Sequence, residues 1–384
     1  MRTVVVVGAG TAGLSAAAEL RRQGWDGRLV VIGEEPEHPY RRPPLSKEYL
    51  LAAAAPTVHF PLPDDLGAEW RLGTAAVGLD APGRAVLTGD GDRIAYDGLV
   101  IATGAPARRL RPELAHERVH TLRTLADAAG LRAALAEGRR VLVVGAGFLG
   151  GELASAITAA GGSVTLVDRS PLPLLAAAGP AVGRWAAGLH RAHGVDYRPR
   201  TEVVGIADAD GAAAVRLSDG TTVAADLVVA ATGASPDTHW LRGSGLAADD
   251  GVLLDHSGLA APGVAAAGDV ARAPQPLLGG EAVRVEHHSS AVAQGVRAAR
   301  ALLGLPAGPA PVPSFQSHLH GRRIHSVGFT GRRFAFTAVE TGARDEPGLL
   351  GEYRHRGRLV GAVATAPRHL RSLTRYRQIL EASS

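Results

Sequence analysis

Val4 to Gly13 reads VVVVGAGTAG. Four β-branched residues in a row predict a strand buried on both faces. Gly8, Gly10 and Gly13 form GxGxxG, and LSAAAELRRQG continues with helical spacing. In a strand–turn–helix each glycine has a task. The first allows the tight turn, the second lets backbone approach a pyrophosphate, and the third lets helix pack on strand. Amides at the helix N-terminus face the phosphates. An acidic residue, Glu34, stands roughly 26 positions after Gly8 and ends a second strand, Leu29–Ile32, where a ribose hydroxyl would be held. The rival is a merely structural turn, and the motif does not say which dinucleotide it takes.

Further along, the pattern restarts. Val141 to Arg169, VLVVGAGFLGGELASAITAAGGSVTLVDR, is a second βαβ unit with Gly145, Gly147 and Gly150. Its acidic residue, Asp168, again ends a strand. ADLVVAATGASP, from Ala225, echoes LVIATGA, from Leu99. Internal duplication with two acidic followers implies two nucleotide sites. Two nucleotides without metal ligands point to hydride transfer between a resident flavin and an exchangeable nicotinamide. GVAAAGDVA, Gly263 to Ala271, adds a Gly-Asp after a short apolar strand, suited to a ribitol or pyrophosphate contact.

Composition narrows the classes. A chain of 384 residues with 46% hydrophobic content predicts two or three domains. It contains no cysteine, which excludes disulfides, thiolate metal sites and electron transfer through a Cys pair. A formal charge of +4 is too small to argue for a nucleic-acid partner. Arginine pairs at Arg41–Arg42, Arg322–Arg323 and Arg332–Arg333 are either solvated surface or a docking face for an acidic partner. Met1 leads straight into a strand, and no apolar run reaches the roughly 18 residues of a membrane span. A soluble cytoplasmic protein, monomer or homodimer, with no membrane partner and no metal, is expected.

Between these units, EPEHPYRRPPLSKEYL (Glu35 to Leu50) predicts a proline-broken loop entering a short helix at Lys47. Residues 70–102 predict short strands with turns at Pro82–Gly83 and Asp90–Gly91. LPAGPAPVPS, from Leu305, is a proline-rich linker. Beyond it RRIHSVGF, RFAFTAVE, LLGEYRHR and RLVGAVATA predict strands, and RHLRSLTRYRQILEAS a closing amphipathic helix.

The order GAGTAG, Glu34, PYRRPPLSK, ATGA, GAGFLGGE, AAGDVA and VEHHSSAVAQG resembles the ferredoxin reductase family over essentially the whole chain. These are FAD-dependent enzymes of glutathione-reductase fold that reduce small iron–sulfur proteins for oxygenases; apoptosis-inducing factor is a relative. The resemblance implies an α/β fold with two Rossmann-like nucleotide-binding domains, three-layer ββα, plus a small α+β C-terminal domain. The FAD domain would comprise residues 1–107 and 236–305, the NAD(P)H domain 108–235, and the C-terminal domain 306–384. It places Gly8, Gly10, Ala12 and Gly13 at the FAD pyrophosphate and Glu34 at the adenosine ribose. Arg42 and Lys47 would contact flavin and pyrophosphate, Lys47 near N5. Ala76 would meet adenine, Arg123 and Asp269 would complete the FAD contacts, and His288 would lie beside the ring. Gly145, Gly147, Leu149, Gly150, Glu152 and Gly233 would receive the nicotinamide nucleotide, with Asp168 on its ribose.

Catalytic roles then fall to Lys47, Glu152 and His288. A lysine near N5 stabilises negative charge on reduced flavin, and a facing Glu152 keeps it oriented. From its position alone, Glu152 reads as a first-turn carboxylate complementing the helix dipole. Asp168 accepts from a free 2′-hydroxyl and repels a 2′-phosphate, favouring NADH; Arg169 keeps NADPH possible.

The chain departs from the family around the flavin. Gln316 and His318 stand where a tryptophan and an aspartate are usual, Leu319 replaces a glutamine, and His288 and Arg41 replace other common residues. The expected acceptor is a 2Fe-2S or 3Fe-4S ferredoxin. Two alternatives are a flavoenzyme acting directly on a small molecule through His288, Gln316 and His318, and an NADH-responsive redox sensor. A metal at His287, His288, His318 and His320 has nothing in the spacing to support it.

Overall fold

The computed structural model describes residues 1–52, 54–135, 139–341 and 348–383; Ser384, the end of the C-terminal segment, lies outside them. Thr3–Val7 is a strand and Thr11–Arg22 the helix after it, with Val4, Val5 and Val6 fully buried. The strand lies inside a six-stranded sheet. Its order is Leu259–Ala261, Val264–Ala266, Gly98–Ile101, Thr3–Val7, Arg28–Gly33, Ala68–Leu72. All pairs are parallel except the first. The helices Thr11–Arg22 and His288–Leu302 cover one face through Val4 and Val6, and Leu79, Val86 and Ile94 cover the other through Val5 and Val7. A strand buried on both faces needs no polar side, so its sequence does not alternate.

The second glycine motif builds the same device. A five-stranded parallel sheet runs Asp196–Pro199, Ser163–Asp168, Arg140–Val144, Leu227–Ala230, Val119–Thr121. Each parallel sheet has an antiparallel three-stranded meander immediately before one of its strands. In the first it is Ala76–Asp80, Ala85–Thr88 and Arg93–Ala95; in the second, Val203–Ala209, Ala212–Leu217 and Thr222–Ala225. The turns at Pro82–Gly83 and Asp90–Gly91 join the first meander's strands, as expected. After Gly98–Ile101 the chain builds the entire second sheet, then returns so that Val264 pairs with Leu99. The returning segment ends in the helix His288–Leu302, which packs on Thr11–Arg22 through Gly295, where any Cβ would sit on the Ala12 carbonyl oxygen.

The four expected C-terminal strands all form. A fifth, Ser314–Leu319, joins them at the edge to give the order Ser314–Leu319, Arg322–Gly328, Arg358–Ala364, Leu349–His355, Ala335–Thr341, every pair antiparallel. The helix Leu370–Ala382 packs on this sheet through Leu373 and Leu380. Leu174, Ala178, Val182 and Ala186, from the start and body of the helix Leu175–Ala192, cluster with Tyr353, Val360 and Val363 of the sheet. Tyr353 and Thr330 donate hydroxyl hydrogen bonds of 2.7 Å to the carbonyls of Ala178 and Ala177. The C-terminal sheet is therefore docked against the second nucleotide unit.

Candidate functional site

The two glycine motifs superimpose in their physics. Gly8 has φ +116° and Gly145 φ +104°, and a Cβ on either would strike a backbone carbonyl, of Ala102 or Ala231. A Cβ on Gly13 would strike the Gly8 carbonyl, and one on Gly150 the Gly145 carbonyl. The first glycine thus serves close strand contact as well as the turn. A Cβ on Gly10 or Gly147 would meet nothing within 4 Å. Neither helix has a side-chain cap, and the first intrahelical bonds run from Leu14 to Gly10 and from Gly151 to Gly147. Preceding amides have no helical carbonyl to reach. Two open, uncapped helix N-termini, each kept clear by a glycine, fit the pyrophosphates of two dinucleotides.

Glu34 is exposed just past Arg28–Gly33. Asp168 ends its strand, and its carboxylate accepts the Ala146 and Ser170 amides, both at 2.6 Å. Arg169 beside it is exposed. Ala12 is buried and Leu149 half-buried in their respective first turns. Ala76 opens the first meander, and Gly233, at φ +97°, follows the last strand of the second sheet.

The RRPPLSK loop folds as a 3₁₀ turn, Pro43–Ser46, leading into a short helix, Glu48–Leu51. A polar chain pins it. Tyr40 donates to Glu35 and accepts the Leu125 amide at 2.9 Å. Arg42 donates to Glu35 and to the Arg123 carbonyl, and Arg123 donates to Asp269 at 2.7 Å. Arg42, Arg123 and Asp269, expected as separate contacts, are one connected network.

Lys47 and Glu152 meet as expected. Lys47 Nζ lies 2.7 Å from Glu152 Oε2, 3.1 Å from the Pro43 carbonyl and 3.3 Å from Ser46 Oγ. Glu152 is 9% exposed. The dipole reading of Glu152 is corrected: Phe148–Ala159 has no acidic residue in its first turn, and Glu152 follows one residue later. Its carboxylate bonds away from its own helix, accepting Ser46 Oγ at 2.6 Å and Ser317 Oγ at 2.7 Å as well as Lys47. Ser46 and Ser317 were not singled out from sequence; Ser46 sits inside the RPPLSK motif, but nothing local marks Ser317.

The histidines separate into distinct settings. His288 opens the helix His288–Leu302, 3.4 Å from Thr11 Oγ1, with its ring parallel to Phe60 at 6.2 Å. Burial and then Arg41 push it below the usual imidazole range. His287 packs on Phe315, and burial pushes it down to about 4. His318 is lowered by burial, then by Lys47 and Arg323. His320 lies elsewhere, stacked on His193 at 4.3 Å with its Nε2 3.0 Å from Nδ1 of His190. Among the described residues no group of three or more His, Cys, Asp or Glu is placed to hold a metal.

This last cluster sets an acid limit on stability. His190 is 1% exposed. Burial, then His320 and His193, push it down to about 3, and burial and His193 push His320 to about 4. Depressed folded values mean that the unfolded chain takes up these protons first. Their neutral-form stability is full above pH ~6.5 and is lost as pH falls toward 3 to 4. Urea unfolding at pH 7.5 and 5.0 is expected to show a falling midpoint, with His190 contributing up to ~1.4 kcal/mol per pH unit. In His190→Gln the fall should be shallower; an identical fall would rule the cluster out as its source.

Fold and site together define a two-dinucleotide oxidoreductase scaffold, with a lysine–carboxylate pair joining the two units. The chain matches the pyridine nucleotide-disulphide oxidoreductase family over residues 2–295. It is 36% identical over 340 residues to a ferredoxin–NAD(P)+ reductase of Sphingomonas sp, covering 85% of this chain and 81% of that protein. It is 34% identical over 339 residues to the ferredoxin–NAD(+) reductase component of the biphenyl dioxygenase system of Paraburkholderia xenovorans, with the same 85% and 81% coverage. Among solved structures, the covalent putidaredoxin reductase–putidaredoxin complex superimposes with a TM-score of 0.92 at 30% identity, covering 100% of this chain and 93% of that one. The chain belongs to the pyridine nucleotide-disulphide oxidoreductase family, in its ferredoxin reductase branch. That family's cofactors are FAD and NAD(P)H, and the absence of cysteine removes disulfide chemistry from this member.

Proposed function

We propose that this protein takes reducing equivalents from NADH and delivers single electrons to a small 2Fe-2S or 3Fe-4S ferredoxin serving an oxygenase. The observation that carries this reading is the Lys47–Glu152 pair, which joins the two dinucleotide-bearing units at 2.7 Å. Bound FAD would supply the two-electron to one-electron redox chemistry that the chain's own side chains lack. The chain's own groups bind, orient and hold charge. Gly10 and the amides after it take the FAD pyrophosphate, with Glu34 at its ribose and the Arg42–Arg123–Asp269 network holding the loop against it. Gly147 and the amides after it take the nicotinamide nucleotide. Lys47 holds a positive charge near the flavin, and Glu152 keeps that charge in place. Binding both nucleotides in fixed orientation supplies most of the rate.

The segments would divide as residues 1–107 with 236–305 for FAD, 108–235 for NADH, and 306–384 for the C-terminal domain. In support, strands of residues 1–107 and 236–305 share one six-stranded sheet. Among the described residues no helix is long and apolar enough to cross a membrane.

Stopped-flow mixing of the NADH-reduced holoprotein with ferredoxins of each cluster type tests the acceptor. Reoxidation by at least one ferredoxin faster than by oxygen is expected. Reoxidation by none would favour the second reading, a small molecule reduced directly beside His288, Gln316 and His318. That reading draws on the exposed Gln316 and the half-buried His318 where the family carries larger or acidic groups.

Nucleotide choice has its own test. Asp168 is fixed by two amide hydrogen bonds at the end of its strand, and in this reading it accepts from a free 2′-hydroxyl. Asp168→Ser is expected to lower kcat/KM for NADH and to raise the NADPH/NADH ratio about tenfold or more, helped by exposed Arg169. An unchanged ratio would remove Asp168 from the specificity determinants.

A further inference from the structure

The carboxylate of Glu152 gathers donors from three separate parts of the chain. Ser46 and Lys47 come from the proline loop of the first unit and bond Oε2. Oε1 accepts from Ser317, on the edge strand of the C-terminal sheet, 165 positions away. Ser317 is 2% exposed, and this hydrogen bond is buried.

The strand Ser314–Leu319 is held on the helix Phe148–Ala159 by contacts to either side of that hydroxyl. Phe315 packs edge-on against Phe148, ring centres 4.4 Å apart. A Cβ on Gly151 would come within 2.8 Å of Leu319, so the glycine is what lets Leu319 approach. Just beyond the strand, His320 donates its amide to Ser155 Oγ at 2.6 Å. Phe315, Ser317 and Leu319 alternate along the strand and so share one face. Hydrophobic contacts fix the register, and Ser317 is the polar residue that this register places opposite Glu152.

We propose that Ser317 is a positioning residue for hydride transfer. Its hydroxyl fixes the Glu152 carboxylate plane from the C-terminal side, so that Oε2 is presented to Lys47 and the lysine is held at one place over the flavin site. A carboxylate held only at Oε2, by Ser46 and Lys47, can still rotate about its terminal torsion, which is broad. Donors on both oxygens remove that freedom. A competent lysine thus depends on a docked C-terminal sheet. The proposal rests on the reading that Lys47 and Glu152 serve the flavin.

The test uses the full-length FAD-loaded protein. Ser317→Ala is expected to slow NADH-dependent flavin bleaching about tenfold at saturation, with FAD occupancy and the NADH Kd unchanged. Ser317→Thr keeps the hydroxyl in a strand that favours β-branched residues and should stay within about twofold of the parent. In a Lys47→Met background, Ser317→Ala should cost nothing further. A second readout needs no turnover: in urea unfolding of the flavin-free protein, Ser317→Ala and Glu152→Gln should be non-additive. Ser317→Ala at the parental rate, or an equal loss with Lys47 already removed, overturns the proposal. Failure of the underlying reading is distinguishable, because Lys47→Met alone would then be reduced at the parental rate.

Discussion

Lys47→Met is expected to fold and bind FAD, and to be reduced by NADH about a hundredfold more slowly than the parent. The methionine fills much of the lysine's volume and removes the charge together with its hydrogen bonds to Glu152 and the Pro43 carbonyl. That charge sits 2.7 Å from a carboxylate that is 9% exposed, and the lysine itself is 25% exposed. Fixed charges in such partly water-excluded sites cost no reorganisation when charge develops beside them, and removing one such group typically slows the chemistry 10²–10³-fold. A hundredfold corresponds to about 2.7 kcal/mol. Glu152→Gln retains the lysine's charge but loosens its position, so its loss should be smaller. Single-turnover bleaching of the flavin is the measurement, with FAD content and far-UV dichroism as controls. A Lys47→Met protein reduced at the parental rate would remove the lysine from the chemistry.

The first glycine motif supports a contrast of equal size. Gly8→Ala places a Cβ on the Ala102 carbonyl oxygen at a φ of +116°. Both penalties fall where the adjacent strands Thr3–Val7 and Gly98–Ile101 end side by side, hydrogen-bonded so that neither can shift independently. A cost of about 3 kcal/mol or more is expected from strain and overpacking, a large part of the 5–15 kcal/mol that typically holds a fold. Gly10→Val should behave in the opposite way. Its Cβ enters open space, so the protein should fold, and the branched side chain should occupy the pyrophosphate's place. Soluble yield and thermal midpoint report the first variant; FAD per mole of protein reports the second. Loss of folding in Gly10→Val with FAD retained in Gly8→Ala would reverse the assignment of their roles.

Much of the frame was legible before any coordinates. Strand–turn–helix units with glycines at fixed offsets are short-range structures, and the four C-terminal strands and closing helix carry strong periodicity. The second meander, Val203–Ala225, was not foreseen, because alanine, glycine and aspartate interrupt its alternation. Nor was the helix Leu175–Ala192, whose Gly179–Pro180 step puts a φ of +75° inside it. The helix Leu125–Ala134 lies outside the sequence reading too, although Thr124 and Asp127 form a capping box. Ser314–Leu319 carries departures from the family, but its polar serines, glutamine and histidine hide the strand it forms.

Local spacing makes the two glycine turns legible, since Gly8 and Gly145 answer a positive φ and a close carbonyl approach just before an uncapped helix start. The sequence also excluded disulfide chemistry outright, through the absence of cysteine. Which groups converge on Glu152 is set by long-range packing. Lys47 lies 105 positions from it and Ser317 lies 165, and their meeting depends on how three packed units dock. The register of a buried edge strand, set by Phe315 and Leu319 against Phe148 and Gly151, is a property of that packing and leaves no mark in local spacing.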